Sequence, residues 1–206
     1  MLQNLLPGKL KSRWLNYQLN KQQHEFADCF QPAIKGEIIS LDMETSSLDT
    51  QHAEILEIAA VPIRHGKIYP GQTLELRVKP LKALNPTSVP IHQIREIDLQ
   101  QALGAEQAIK QLIQFIGARP LLGYNIRFDQ KILNRYYKAL LGFELPNPTL
   151  ELSHRYYKKK LHSQPDHITD LRLETICSEL DIPMLDRHSA KGDALTVALA
   201  WSKLGK

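Results

Sequence analysis

The chain has 206 residues, 43% hydrophobic and 23% charged, with 26 Lys and Arg against 22 Asp and Glu for a net charge of +4. That length supports a self-sufficient core without disulfide or metal staples, and the basic balance suits a polyanionic partner. No apolar run approaches the roughly 18 residues of a membrane span, residues 1–10 are too interrupted for a secretory signal, and Cys29 and Cys177 stand far apart without C-x-x-C spacing, so a reduced, cytoplasmic setting without zinc is expected.

Residues 1–36 carry five basic and two acidic side chains. After Pro7, which suits a first helical turn, Leu10, Trp14 and Tyr17, with Leu15 and Leu19, recur at helical spacing. This stretch reads as a helical N-terminal extension, either packed on the body of the protein or serving as a docking or nucleic-acid arm. The domain proper spans residues 37–206. Glu37 to Asp42 and Ile55 to Ile63 are short strand-like runs, the second with Pro62 near its end. Arg64-His65-Gly66-Lys67 reads as a turn, and Leu74, Leu76 and Val78 alternate with Glu75 and Arg77. Three strands with short links predict an antiparallel meander, and Pro80, Pro86 and Pro90 mark a long loop.

Ala108, Ile109, Leu112, Ile113 and Ile116 form one helical stripe, ended by Gly117. Pro120 to Tyr124 reads as a short buried strand. Helices are expected over Phe128 to Leu141, Leu171 to Leu180 and Ala190 to Leu204, whereas Pro146 to Asp170 has no clear pattern. A meander followed by helix, strand and helix predicts an α/β fold, a mixed sheet covered by helices.

Asp42 and Glu44 project to one face where the first strand ends, a place where α/β proteins keep their sites. Two adjacent acids repel unless a cation joins them or one keeps its proton. The spacing is weak alone, since Glu96/Asp98 and Glu179/Asp181 share it. Gly123 to Asp129 links a strand to a helix. Asn125 suits its N-cap and Asp129 its positive end, but capping leaves Phe128 unexplained. Asp193 lies within the start of the last helix, and His188 is on the loop ahead of it. A loop histidine can simply face solvent, yet an imidazole titrates near neutrality, as a general base should. Together Asp42, Glu44, Asp129 and Asp193 with His188 amount to a hard-cation site, whose oxygen ligands favour Mg²⁺ or Mn²⁺ over zinc.

The ordered segments LDMETSSLD, GYNIRFDQKIL and RHSAKGDALTVALAWSKL resemble the three exonuclease motifs of the DEDDh 3′–5′ exonuclease family. The likeness is greatest to the polymerase III epsilon (proofreading) type, with ribonuclease T and oligoribonuclease as relatives, and runs from about Glu37 to Leu204. It implies a ribonuclease H-like fold, a five-stranded mixed sheet flanked by helices with its first three strands antiparallel. It implies that Asp42, Glu44, Asp129 and Asp193 hold two divalent cations, Mg²⁺ or Mn²⁺, that clamp the scissile phosphate, and that His188 activates the attacking water. Thr45 and Ser46 match positions that bind the terminal nucleotide. Leu48 and Phe128 match apolar positions that sandwich terminal bases.

The implied activity is release of nucleoside 5′-monophosphates from the 3′ end of single-stranded DNA. Trimming of RNA by the same chemistry is the first alternative, and a catalytically quiet grip on a strand end is the second. A DNA polymerase or another replication or repair protein is the implied partner. Two positions depart from the family pattern: Tyr124 precedes Asn125 where His-Asn is usual, and Ser47 stands where Gly is usual. Tyr124 still offers a hydrogen bond and a stacking face, so altered substrate handling is expected. Ser88 to His92 resembles the family's S-x-x-I-H region, with His92 expected to be structural. Arg155 to Lys160 interleaves cations with aromatics, as either a solvated helix face or a phosphate-tracking surface.

Overall fold

The computed structural model describes residues 26–84, 93–163 and 169–205. Strand β1 (Glu37–Thr45) pairs antiparallel with β2 (Ile55–Arg64), Glu37 opposite Arg64 and Glu44 opposite Glu57. Beyond β2 lie two short antiparallel segments, β3 (Lys67–Ile68) and β4 (Leu74–Arg77). On its other side β1 pairs parallel with β5 (Leu121–Gly123), which pairs parallel with β6 (Thr149–Glu151). The helices are α1 (Ala105–Ile116), α2 (Ile126–Leu141), α3 (Leu152–Ser163), α4 (Leu173–Glu179) and α5 (Ala190–Lys203). The architecture is therefore the expected mixed sheet with helices on both faces.

The meander is present, but its third strand is broken in two, and Pro62 gives the reason. In an antiparallel ladder a residue's N–H and C=O point to the same side. The Pro62 carbonyl accepts the Tyr69 N–H at 2.9 Å, so its missing donor faces the third strand as well. There the chain leaves the sheet through a short 3₁₀ turn, Pro70–Gln72, and re-enters as β4. The turn at His65-Gly66 is as expected, with both residues at positive φ.

Alternation along β1 sorts two cores. Ile39, Leu41 and Met43 pack with Ile109, Leu112 and Ile113 of α1 and Ile132 and Leu133 of α2. On the opposite face Ile63 and Leu122 meet Leu152 and Tyr156 of α3, Ile176 of α4 and Val197 of α5. Burying each such aliphatic side chain contributes about 1.5–3 kcal/mol before ordering costs. The patternless stretch from Pro146 to Asp170 holds β6 and α3, which complete the second layer.

Residues 26–30 join the first core. Phe26, Cys29 and Phe30 are buried there, and the Phe30 ring lies edge-on to Phe143 with centroids 4.9 Å apart. The helix expected around Leu10 to Leu19 lies outside the described residues, as does His92. No described helix is long and apolar enough to cross a membrane.

Candidate active site

Ser40, Asp42 and Glu44 occupy the face of β1 turned toward α5, and the buried Ser40 hydroxyl donates to the Ala194 carbonyl at 2.8 Å. The helix lies close because the contact is built of small residues, Ala190 and Ala194 against Ala59 and Val61 of β2. Gly192 takes this further. A Cβ there would overlap the carbonyl oxygens of Leu185 and Asp186, so only glycine lets the preceding loop lie against the first turn. Ser189 caps α5, accepting the Gly192 N–H at 3.0 Å and donating to the Asp186 carbonyl at 2.9 Å. The result is a tight acidic centre: one carboxylate oxygen each from Asp42, Glu44 and Asp193 lie within 4.8 Å of one another.

Asp129 approaches from α2 on the other side of the strand end, and is only 4% exposed. It lies outside that close triplet but within its field. Burial, followed by repulsion from Asp129, Asp193 and Glu44, drives the Asp42 carboxyl well above the ordinary carboxylate range, with Arg187 opposing. Burial likewise raises Asp129, with repulsion from Glu44 and Glu151 added and backbone hydrogen bonds at Asp129 and Met43 opposing. Glu44 is pushed up to about 7 by burial, then by Asp193 and Glu57. Four acids crowded into a desolvated pocket are short of positive charge. An all-oxygen donor set of this kind fits hard divalent cations such as Mg²⁺ or Mn²⁺.

Two charged residues that motif reading passed over shape this centre. Arg187 Nη1 donates to both Asp193 oxygens at 3.2 Å, while Nη2 reaches Glu174 Oε1 at 2.7 Å and ties the loop to α4. Next to it His188 is exposed, with its backbone at φ 64° and its N–H directed to Asp193 Oδ2 at 3.3 Å. A positive φ at a non-glycine residue costs energy and persists only where its surroundings enforce it. Here the Ser189 cap and the Gly192 contact do so. The second overlooked residue is Glu151, at the end of β6. Its two oxygens accept the Asn125 and Ile126 N–H groups at 3.2 and 3.1 Å.

Asn125 holds the N-cap position of α2, but its side chain makes no cap hydrogen bond. Its backbone is left-handed, φ 57°, a conformation asparagine tolerates better than most residues. Capping from the side chain of Asn125, as the sequence suggested, is replaced by capping from Glu151. The Tyr124 hydroxyl donates to the Leu171 carbonyl at 3.1 Å, so that donor is used within the protein. Thr45 Oγ1 donates to Ser47 O at 2.9 Å, and Ser46 Oγ accepts the Glu54 N–H at 2.9 Å, which orders the loop after β1. Arg135 pins the same loop to α2 through the carbonyls of Thr50 and Ala53. Leu48, on this loop, is 84% exposed, whereas Phe128 is half-buried against the first core.

The Arg155 to Lys160 stretch is largely occupied by the fold. The Arg155 guanidinium lies 4.1 Å from the centroid of the Trp201 ring, Tyr156 is buried, and Lys159 Nζ donates to Leu204 O at 3.0 Å. Lys160 pairs with Glu179.

Comparison with known proteins gives the family and the fold. Residues 39–200 match the ribonuclease T group, the family described as Exonuclease, and the chain belongs to that family. It is 31% identical over 173 residues to DNA polymerase III PolC-type of Bacillus subtilis, covering 82% of this chain and 11% of that protein. The PolC-type polymerase of Halalkalibacterium halodurans is 29% identical over 174 residues, again 82% of this chain and 11% of the relative. A DNA polymerase III subunit epsilon-like protein of Rhodobacter capsulatus is 29% identical over 177 residues, 84% of this chain and 24% of the relative. The chain thus spans a small part of the length of these relatives. Among solved structures, exonuclease I superposes with a TM-score of 0.69 at 16% identity, over 82% of this chain and 40% of that one. Cell-death related nuclease 4 gives 0.67 at 18% identity, over 81% of this chain and 62% of that one. The fold is theirs.

Proposed function

We propose that the protein is a 3′–5′ exonuclease that removes nucleoside 5′-monophosphates from single-stranded DNA. The observation that carries this reading is the meeting of Asp42, Glu44 and Asp193 within 4.8 Å, with buried Asp129 beside them. Two divalent cations, Mg²⁺ or Mn²⁺, held by these four carboxylates would neutralise them and stabilise charge on the scissile phosphate and leaving oxygen. His188, on an exposed loop joined to Asp193 through its own backbone N–H, takes a proton from the attacking water. Thr45 and Ser46 hold the terminal nucleotide, and Leu48 and Phe128 flank its base, a sequence-tolerant contact. Tyr124 and Asn125 border the same nucleotide, Tyr124 through its ring because its hydroxyl is engaged with Leu171.

DNA is favoured over RNA because solved neighbours of this fold include E. coli exonuclease I in complex with a dT13 oligonucleotide. The PolC-type relatives support a polymerase as partner, and the same reading places the protein in the cytoplasm. With Mg²⁺, 5′-labelled single-stranded DNA should shorten stepwise from its 3′ end. His188→Ala should lower kcat by roughly 10²–10⁴ with cation binding retained. Undiminished turnover in that variant overturns the base assignment. Intact DNA and RNA after incubation with either cation would overturn the exonuclease reading in favour of a non-catalytic grip.

A further inference from the structure

At the end of the sheet away from the acidic centre, α3, α5 and the β2–β3 turn border a cavity of about 250 Å³. Ile38 of β1, Ile63 of β2 and Trp201 of α5 line it with apolar surface, as outer members of the second core. Ile38 precedes Asp42 by four residues, about 13 Å along a strand. Trp201 follows Asp193 by eight, about 12 Å along a helix.

The turn keeps this space open because it carries little side-chain bulk. His65 donates its N–H to the Gly36 carbonyl at 2.7 Å, and a Cβ on Gly36 would lie 2.7 Å from His65 Nδ1. Gly36 and Gly66 both have positive φ, 83° and 80°, where a side chain would add strain as well as fill the cavity. Ser202 Oγ donates to the Gly66 carbonyl at 3.4 Å and ties the turn to α5.

Arg155 reaches the cavity from α3 and is the one Lys or Arg side chain among its described lining residues. Its guanidinium is half-buried, 4.1 Å from the centroid of the Trp201 ring, so its face is covered by the indole. The edge is different: its N–H donors have no hydrogen-bond or ion-pair partner among the described residues. Burial lowers its pKa from the ordinary value, the opposite of what a neighbouring carboxylate would do. The nearest candidates are committed elsewhere. Glu151, one turn earlier, accepts the Asn125 and Ile126 N–H groups, and Glu179 of α4 pairs with Lys160. Glu37 pairs with Arg64 and Arg119. A half-buried cation with unpaired donors is costly unless an anion joins it.

We propose that this cavity binds a small free carboxylate with an apolar body about the size of one ring. The carboxylate oxygens take the N–H fork of Arg155, a pairing its planar geometry favours, and the apolar body covers Ile38, Ile63 and Trp201. A carboxylate fits better than a phosphate monoester, because one guanidinium balances one negative charge and leaves no excess against an apolar lining. Neither Arg155 nor Trp201 belongs to the acidic centre, so binding here is independent of turnover there.

Calorimetric titration with phenylacetate tests this, beside acetate, which lacks the apolar body, phenylacetamide, which lacks the charge, and phenyl phosphate. Phenylacetate should bind the wild type saturably, and at least about tenfold more tightly than each of the other three, the scale of one charge-assisted hydrogen bond. Arg155→Gln, checked for folding by its thermal melt, should weaken phenylacetate at least about tenfold. In the wild type, phenylacetate should also shift the NMR signals of the Trp201 indole and the Ile38 methyls, which keeps the test open if the variant does not fold. Absence of saturable binding overturns the proposal, as do shifts confined to other residues. Equal affinity for phenylacetamide, or undiminished affinity in folded Arg155→Gln, shows an apolar cavity without a carboxylate site. Tighter binding of phenyl phosphate overturns the choice of carboxylate.

Discussion

Glu57 stands directly across the β1–β2 ladder from Glu44, and its Oε2 accepts the Ala190 N–H at 3.1 Å. One carboxylate thus repels a proposed cation ligand on the neighbouring strand and anchors the first residue of the helix that carries another. Its other oxygen lies 3.8 Å from Arg77 Nε, which partly offsets its charge.

Substitution separates the two roles of Glu57. Glu57→Gln keeps an acceptor for Ala190 and removes the charge, whereas Glu57→Ala removes both. If anchoring dominates, the alanine variant should lose about 0.5–2 kcal/mol of stability, the range for a lost helix cap, and kcat should fall as Asp193 drifts. The glutamine variant should keep most of both. Thermal melts and steady-state kinetics on the two variants provide the check. Equal losses in both would show that charge, not anchoring, is what Glu57 supplies.

Crowding of the carboxyls has a consequence for stability. Glu44 is raised by burial, then by Asp193 and Glu57, to about 7 from an ordinary 4.5. A group that holds its proton more tightly in the folded state takes up protons on folding, so metal-free stability falls as pH rises through that window. Asp98 and Asp170, held low by hydrogen bonds from Arg95 and Arg172, act in the opposite sense, but below their ordinary 3.8. Divalent cations compete with protons for the crowded set, and their stabilisation grows with pH. In EDTA the melting temperature should be lower at about pH 8 than at about pH 5.5, and millimolar Mg²⁺ should raise it more at the higher pH. A flat profile in EDTA with equal Mg²⁺ shifts at both pH values contradicts this.

How far these features could be read in the sequence depended on how local their causes were. Asp42 and Glu44 share a face because strand side chains alternate, a property of adjacent residues, and Asp193 falls in the first turn of α5 for an equally local reason. Glu151 was not legible. It caps α2 only because β6 pairs parallel with β5 and brings position 151 to the start of a helix 25 residues earlier. Pro62 was visible, but that it breaks the third strand follows from which side of β2 its missing donor faces. Arg155 to Lys160 left two readings open, because composition shows cations and aromatics without showing that Trp201 and Leu204 occupy Arg155 and Lys159.

Gly192 provides the sharpest steric test of the site. A methyl group there would overlap the Leu185 and Asp186 carbonyl oxygens, which are backbone atoms and cannot rotate aside. Leu185 is also held by its own N–H, which donates to Thr196 Oγ1 at 3.0 Å. Gly192→Ala must therefore push the loop off α5, and Arg187 and His188 move with it while the Asp42–Glu44 pair on β1 stays in place. Overpacking of this kind costs about 1–3 kcal/mol. The expected outcome is a folded protein with a lower melting temperature and a kcat reduced at least tenfold, more than its Mn²⁺ affinity is reduced. Calorimetric Mn²⁺ titration beside single-turnover kinetics reads both. Wild-type kcat in Gly192→Ala would mean that the loop tolerates displacement, and that His188 does not depend on this contact for its position.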